Sequence, residues 1–366
     1  MEIDKRVGIL TFHTADNYGA VLQTYALQSA VEEMGCKDVE IIDFNTKVHE
    51  REYSIFKKES SNPIKNVILQ AITLLLYPQL RTRKNRFKKF RQQLLHLSKT
   101  RYTDSEDLKR DLCFKDVYIS GSDQVFNPYV KYSDVYYLGF EKHGCKKIAY
   151  APSFGIAEFP DEVMASLLPL IHDFDALSCR ETEGAKYLSN VVKKDVPTVL
   201  DPVFLLSKES WLKIANRPKV KGKYIFVYDL NGGENLITIA KYFKNKYHLP
   251  IVCATTNIRK NYHVDQQLYS VGPQELLGFI NDAEYVVTDS FHGTALSAIM
   301  RTKFYSYIAA KKTSSRITSI LNQLDIDNQI IYDVTGLEKL QEPSLNYVGL
   351  LDDLIESSKE WLKENL

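Results

Sequence analysis

Short apolar runs alternate with stretches of helical period along most of the chain. Residues 7–12, 39–44, 117–120, 148–151 and 176–179 read as strands, and residues 20–34 and 181–191 repeat apolar side chains at helical spacing. Strands separated by helical patterns predict a parallel sheet covered by helices. A second series repeats the alternation, with strands at 224–228, 251–254 and 285–288 and helices at 235–247 and 273–281. Between the two lies R-P-K-V-K-G-K, residues 217–223, whose Pro218, Gly222 and lysines suit a linker. The expected fold is α/β, two Rossmann-like doubly wound domains over residues 1–220 and 221–366, with the last helix packing back on the first domain. The length of 366 residues agrees, since it exceeds what one hydrophobic core usually supports.

One stretch departs from the alternation. Residues 67–77 are apolar, but Gln70 and Thr73 interrupt them, and the run falls short of the roughly 20 residues that span a bilayer. R-T-R-K-N-R-F-K-K-F-R follows, with seven cations between Arg81 and Arg91 and with Phe87, Phe90, Leu94 and Leu97 at helical spacing. Two readings stand: a basic amphipathic helix resting on anionic lipid or a charged glycan, or a solvated helix face whose aromatics enter the core. Both place the segment in a helical insertion around residues 46–103.

Charge narrows the partners. Lys plus Arg number 47 against 46 Asp plus Glu, so no overall field draws the chain to nucleic acid. The five cysteines are scattered without a C-x-x-C pair and read as reduced thiols. His and carboxylates do not cluster at ligand spacing, so neither a metal nor a cofactor is expected. M-E-I-D-K-R lacks an apolar leader, so the expected location is the cytoplasm, either free or at the inner face of the membrane.

In doubly wound sheets ligands bind beyond the carboxyl ends of the strands, so strand-to-helix junctions are the places to look for chemistry. The first is T-F-H-T-A-D-N-Y-G-A, where Gly19 would allow a tight turn, Asn17 and Tyr18 would point into the cleft, and the next helix would offer N–H groups. His13 there reads as a backbone-bonded loop residue, and Asp16 as a helix cap. In Y-I-S-G-S-D-Q-V-F-N-P the strand ends at Gly121, with Ser122 beside it and Asp123 next. Asp123 either faces the cleft to accept a hydroxyl proton or closes its own Asx turn. In A-L-S-C-R-E-T-E-G-A, Arg180 precedes a helix, where it would grip a phosphate or carboxylate or pair with Glu183 at the surface. The fourth junction, T-D-S-F-H-G-T-A-L, sets His292 among Ser290, Gly293 and Thr294, a histidine suited to proton transfer beside helix amides. A-A-K-K-T-S-S-R-I adds Lys312 and Arg316 as a second anion-binding edge or a solvated basic loop.

The ordered set T-F-H-T-A-D-N-Y-G-A-V-L-Q, S-G-S-D-Q-V-F-N-P, S-C-R-E-T-E-G, D-P-V-F-L-L and T-D-S-F-H-G-T-A-L-S resembles the polysaccharide pyruvyl transferase family from about residue 7 to about residue 320. That resemblance implies a glycosyltransferase B-like pair of domains facing across a cleft, acceptor on the N-terminal side and donor on the C-terminal side. It also implies transfer of pyruvate from phosphoenolpyruvate, a donor substrate rather than a cofactor, onto sugar hydroxyls as a ketal. Arg180 and His292 match the arginine and histidine expected to hold or activate the donor, and Asp123 is the match for an acidic residue of the first domain. The expected partners are phosphoenolpyruvate and an oligosaccharide or lipid-linked glycan. A nucleotide-sugar glycosyltransferase and a non-catalytic phosphosugar- or glycan-binding protein are the alternatives.

Overall fold

A computed structural model describes residues 3–366 apart from 57–61, 141–143, 157, 232 and 310–314. The chain divides into two compact units. The first comprises Met1–Glu52, Arg91–Leu206 and Leu350–Leu366, and the second Tyr53–Phe90 and Ser207–Gly349.

In the first unit the strands are β1 (Ile3–Leu10), β2 (Cys36–Phe44), β3 (Leu97–Tyr102), β4 (Val117–Ser120), β5 (Lys146–Ala149) and β6 (Ala176–Leu177). They pair in parallel in the order β3-β2-β1-β4-β5-β6. Val7, Ile9, Leu10, Ile119, Ile148 and Ala149 are fully buried, as expected of a parallel sheet with helices on both faces. The order places β1 beside β4 at the centre, where the chain stops winding one way and begins winding the other. The loops after these two strands diverge and leave a crevice at their carboxyl ends.

The second unit repeats this order with β7 (Ile225–Asp229), β8 (Ile251–Thr255), β9 (Gln266–Leu268), β10 (Tyr285–Thr288), β11 (Lys303–Tyr307) and β12 (Ile330–Ile331). The sheet runs β12-β11-β10-β7-β8-β9, so its reversal lies between β7 and β10. Every residue of β7, β8 and β10 is buried, as are all ten of the helix Phe291–Met300. Stacked rings add to one side of the sheet, Phe243 on Tyr305 at 4.5 Å and Tyr247 on Tyr285 at 4.5 Å.

Two features differ from the sequence expectation. The division falls after Leu206, not at residue 220. Residues 207–216 are tied to the second unit by buried Trp211, by Lys208 Nζ donating to the Met300 carbonyl at 2.6 Å and by Asn216 N donating to the Gln274 carbonyl at 2.9 Å. The stretch around 46–103 is not a helical insertion belonging to the first unit, because Tyr53–Phe90 groups with the second unit while the end of the stretch forms β3 alongside β2. The Leu350–Leu366 segment, where the last helix was expected to pack back on the first domain, belongs to the first unit: Ser358 Oγ accepts from Leu200 N at 3.0 Å and Trp361 lies against Tyr150.

Gly121 follows β4 with φ +133°, and a Cβ there would stand 2.0 Å from the Tyr150 carbonyl oxygen. Gly121→Ala should therefore destabilise the fold by about 2 kcal/mol or more. Gly349→Ala, in a helix and facing open space, should be neutral or stabilising by about 0.5–1 kcal/mol. Denaturant-unfolding midpoints of the two variants check the contrast.

Candidate functional site

In the first unit the carboxyl ends of the central strands converge on one buried ion cluster. Arg180, just beyond β6, has a side chain only 3% exposed. Its Nη1 lies 2.5 Å from Asp201 Oδ2, its Nε 3.4 Å from Glu181 Oε1 and its Nη2 3.9 Å from Asp123 Oδ1. Burial works against the guanidinium's charge, but Glu181, Asp201 and Asp123 outweigh it and hold its pKa above the ordinary arginine value. The carboxylates are themselves anchored. Asp201 accepts from Ser122 Oγ and Val203 N, Glu181 from Ser153 Oγ, and Asp123 from Gln124 N.

The backbone here occupies sparsely populated conformations. Asp123 has φ 66° and ψ −167°, a region almost reserved for glycine, and Ala151 has φ 48°. Such residues persist only where their surroundings over-determine them, and they concentrate at functional sites. The surroundings are visible: Ser122 Oγ donates to the Ala151 carbonyl at 2.6 Å, Ser153 N to the Asp123 carbonyl at 2.8 Å, and Ser122 N to Gln23 Oε1 at 3.1 Å. Gln23, on the helix Tyr18–Glu33, also donates to Thr11 Oγ1 at 2.7 Å. The cluster therefore joins the loops after β1, β4, β5 and β6. Within it the Asp201 side chain is fully buried, whereas Asp123 keeps 15% exposure.

The second unit has a corresponding junction at β7 and β10. Ser290 caps the helix Phe291–Met300 by accepting from Gly293 N at 3.3 Å, and Thr294 Oγ1 bonds the Ser290 carbonyl and Ser306 Oγ. His292 sits in the first turn, 7% exposed and edge-on to Phe291. Gly293 is required by packing, since a Cβ would come within 2.4 Å of Thr288 Oγ1. Asp289 accepts from Leu230 N at 2.9 Å and Asn231 N at 3.0 Å, fastening the loop after β7 to the end of β10. Burial raises its carboxyl pKa and the nearby Asp229 adds to the rise, against those two donors. Asp229 in turn accepts from Thr255 Oγ1 and Tyr262 Oη, both at 2.7 Å.

The structure thus gathers Gly121, Ser122, Asp123 and Arg180 in the first unit and Ser290, His292, Gly293 and Thr294 in the second. Arg180 departs from expectation: it lies inward among carboxylates instead of presenting a cationic grip, and its closest partner is Asp201, not Glu183. Asn17 caps its helix by accepting from Ala20 N at 3.2 Å, the role expected of Asp16, which instead pairs with Arg91 at 2.9 Å. Tyr18 is buried, and Gly19 lies inside the first helical turn rather than at a tight turn before it. His13 bonds the Thr11 carbonyl and Asp43, as a structural histidine does. Arg316 is half-buried at the start of the helix Ser315–Gln323, and Lys312 lies outside the described residues. Sequence reasoning passed over Asp201, although a lone carboxylate within V-L-D-P-V-F-L-L signals a buried charge that needs a partner. Among the described residues no three His, Cys, Asp or Glu side chains are disposed to hold a metal ion.

A family model described as polysaccharide pyruvyl transferase matches residues 17–309. No curated protein matches the chain. Among solved structures, a candidate UDP-N-acetylglucosamine 2-epimerase from Listeria monocytogenes superposes with TM-score 0.50 at 8% identity, covering 100% of this chain and 92% of its own. The UDP-GlcNAc 2-epimerase of Methanocaldococcus jannaschii, in complex with UDP-GlcNAc and UDP, does so with TM-score 0.50 at 14% identity, covering 96% and 92%. At such identities the likeness concerns the fold alone, which is glycosyltransferase B-like, built from two Rossmann-like units.

The cluster's geometry ranks its carboxylates. Asp201→Ala would leave the buried guanidinium without its nearest counter-ion and should cost about 3–5 kcal/mol. Asp123→Asn, partly exposed and farther from Arg180, should cost under about 1 kcal/mol. Equilibrium unfolding of both variants checks the order, and the reverse ranking would show Asp123 to be the true anchor.

Proposed function

Because the chain belongs to the polysaccharide pyruvyl transferase family, we propose that it transfers the pyruvyl group of phosphoenolpyruvate onto two hydroxyls of a glycan or its lipid-linked precursor. The donor's methylene carbon takes a proton, leaving an oxocarbenium-like centre. One sugar hydroxyl adds to that centre, phosphate departs, and a second hydroxyl closes the ketal. Of the two hydroxyl protons released, one balances the proton taken by carbon and the other leaves with phosphate.

Asp123 is the observation that carries this reading. It is the partly exposed carboxylate of an otherwise buried cluster, held in a strained backbone at the sheet's reversal point. A carboxylate so placed accepts a proton from a sugar hydroxyl. Three carboxylates around one guanidinium leave the first unit's junction rich in negative charge. Carboxylates of which Asp123 keeps contact with solvent suit hydroxyls, so the acceptor is assigned to the first unit. Arg180 then acts as a positioning residue, fixing Asp123 and Asp201 instead of holding phosphate. In the second unit His292 is assigned proton delivery to the methylene carbon, beside first-turn amides whose partial positive charge favours an anionic donor.

Phosphate release measured with phosphoenolpyruvate and a panel of free and lipid-linked oligosaccharides tests the proposal. Release should require an acceptor, and His292→Ala and Asp123→Asn should each lower kcat by about 10²–10⁴ while the protein stays folded. Uridine diphosphate formed from a nucleotide sugar, with no acceptor-dependent phosphate, would instead identify a glycosyltransferase. Tight glycan binding without either product would mark a binding protein.

A further inference from the structure

The helix Pro63–Leu94 turns its apolar side the wrong way for a soluble helix. Thr73, Leu80, Phe87 and Phe90 are its buried positions, and the steps of seven from 73 to 80 to 87 define the stripe that packs inward. The opposite stripe runs through Ile64, Val67, Ile68, Leu74 and Leu75, all exposed, with Leu75 at 80% and Ile64 at 69%. Farther along, the same stripe carries exposed Arg81, Lys88 and Lys89. Phe56 adds an exposed ring stacked on Tyr77 at 5.8 Å. The outward face is therefore apolar in its first half and cationic in its second.

Charge is segregated onto this helix. It holds eight Lys or Arg and no Asp or Glu, while the whole chain has a formal net charge of +1, so the remainder sums to −7. Among the described residues no helix is long and apolar enough to cross a membrane. A helix with these two properties lies in the interface, its apolar side chains at the acyl boundary and its cations against phosphate headgroups. Pairing with a second copy fits less well. In parallel it would bring two such cationic helices together, and antiparallel it would press the basic half of each onto the apolar half of the other, desolvating unpaired charge.

We propose that the outward face of this helix, from Ile64 to Lys89, docks the protein flat on an anionic lipid bilayer. The proposal stands on the helix alone and does not depend on which acceptor the transferase uses.

Flotation of the full chain with phosphatidylglycerol-containing vesicles, against pure phosphatidylcholine, tests it. The protein should float with the anionic vesicles and much less with the neutral ones, and rising salt should weaken the association. Ile68→Glu with Leu75→Glu should reduce binding at least about tenfold, and Lys88→Glu with Lys89→Glu should do likewise on anionic vesicles alone. All four positions are exposed, and unchanged thermal midpoints would establish that the variants fold. Failure of the native chain to float with anionic vesicles, or variants that float as well as it does, would overturn the proposal. So would a dimer, seen by sedimentation velocity, that the glutamates dissociate while no lipid is bound.

Discussion

A guanidinium that has left water must be met by carboxylates, and in the first unit that requirement fixes the mouth of the sheet. Arg180 draws Asp201, Glu181 and Asp123 toward it, and each carboxylate is held by hydroxyl or backbone donors, Ser122 and Ser153 reaching across from the loops after β4 and β5. Removing one ion from such a group leaves the others exposed to an uncompensated field in a low dielectric, which is why buried pairs resist dissection. The strained φ of Asp123 and of Ala151 is tolerated because this network surrounds it. The order of dependence thus runs from ion cluster to loop conformation to Asp123, the carboxylate that keeps most contact with solvent.

The two junctions solve the same topological problem with different chemistry. Both occur where a sheet of identical strand order reverses, and both use aspartates to fasten neighbouring loops. In the first unit the fastening is ionic, carboxylates gathered around a guanidinium. In the second it is done by neutral donors, Leu230 N, Asn231 N, Thr255 Oγ1 and Tyr262 Oη, around Asp289 and Asp229, next to a helix start. On the proposed reading, the solvent-touching carboxylate of the first junction meets hydroxyls, and the helix start with a histidine in its first turn meets the anionic donor. This difference underlies the assignment of acceptor and donor to separate units.

Much of the fold was legible because buried parallel strands write themselves as unbroken apolar runs: β7, β8 and β10 are such runs, and so is the core of β1. β3, β9, β11 and β12 were not read from the sequence; an edge strand such as L-S-K-T-R-Y, with three exposed residues in succession, looks like a loop. The junction residues were found from position, since a strand-to-helix turn can be recognised in sequence. What those residues do there was not. Whether Arg180 faces out toward an anion or in toward Asp201 depends on a partner 21 residues away in sequence, whose carboxylate had been passed over within an apolar stretch. Asn17 took the capping role expected of Asp16 for a local reason, because capping falls to the residue just before the helix begins, here at Tyr18.

The helix Pro63–Leu94 shows the limit of periodicity from the opposite side. Both of its stripes are apolar in the first half, so hydrophobic spacing alone does not say which one faces the core. The basic segment offered a clue, and taken alone it favoured a solvated face with Phe87 and Phe90 inside, where they are indeed buried. That reading accounts for the aromatics but leaves Ile64, Val67, Ile68, Leu74 and Leu75 in water. Scattered exposed apolar residues need no explanation, but a continuous stripe of them on one helix face does. Cations set farther along the same stripe indicate what the missing neighbour is, since a protein core would not welcome them and an anionic headgroup layer would.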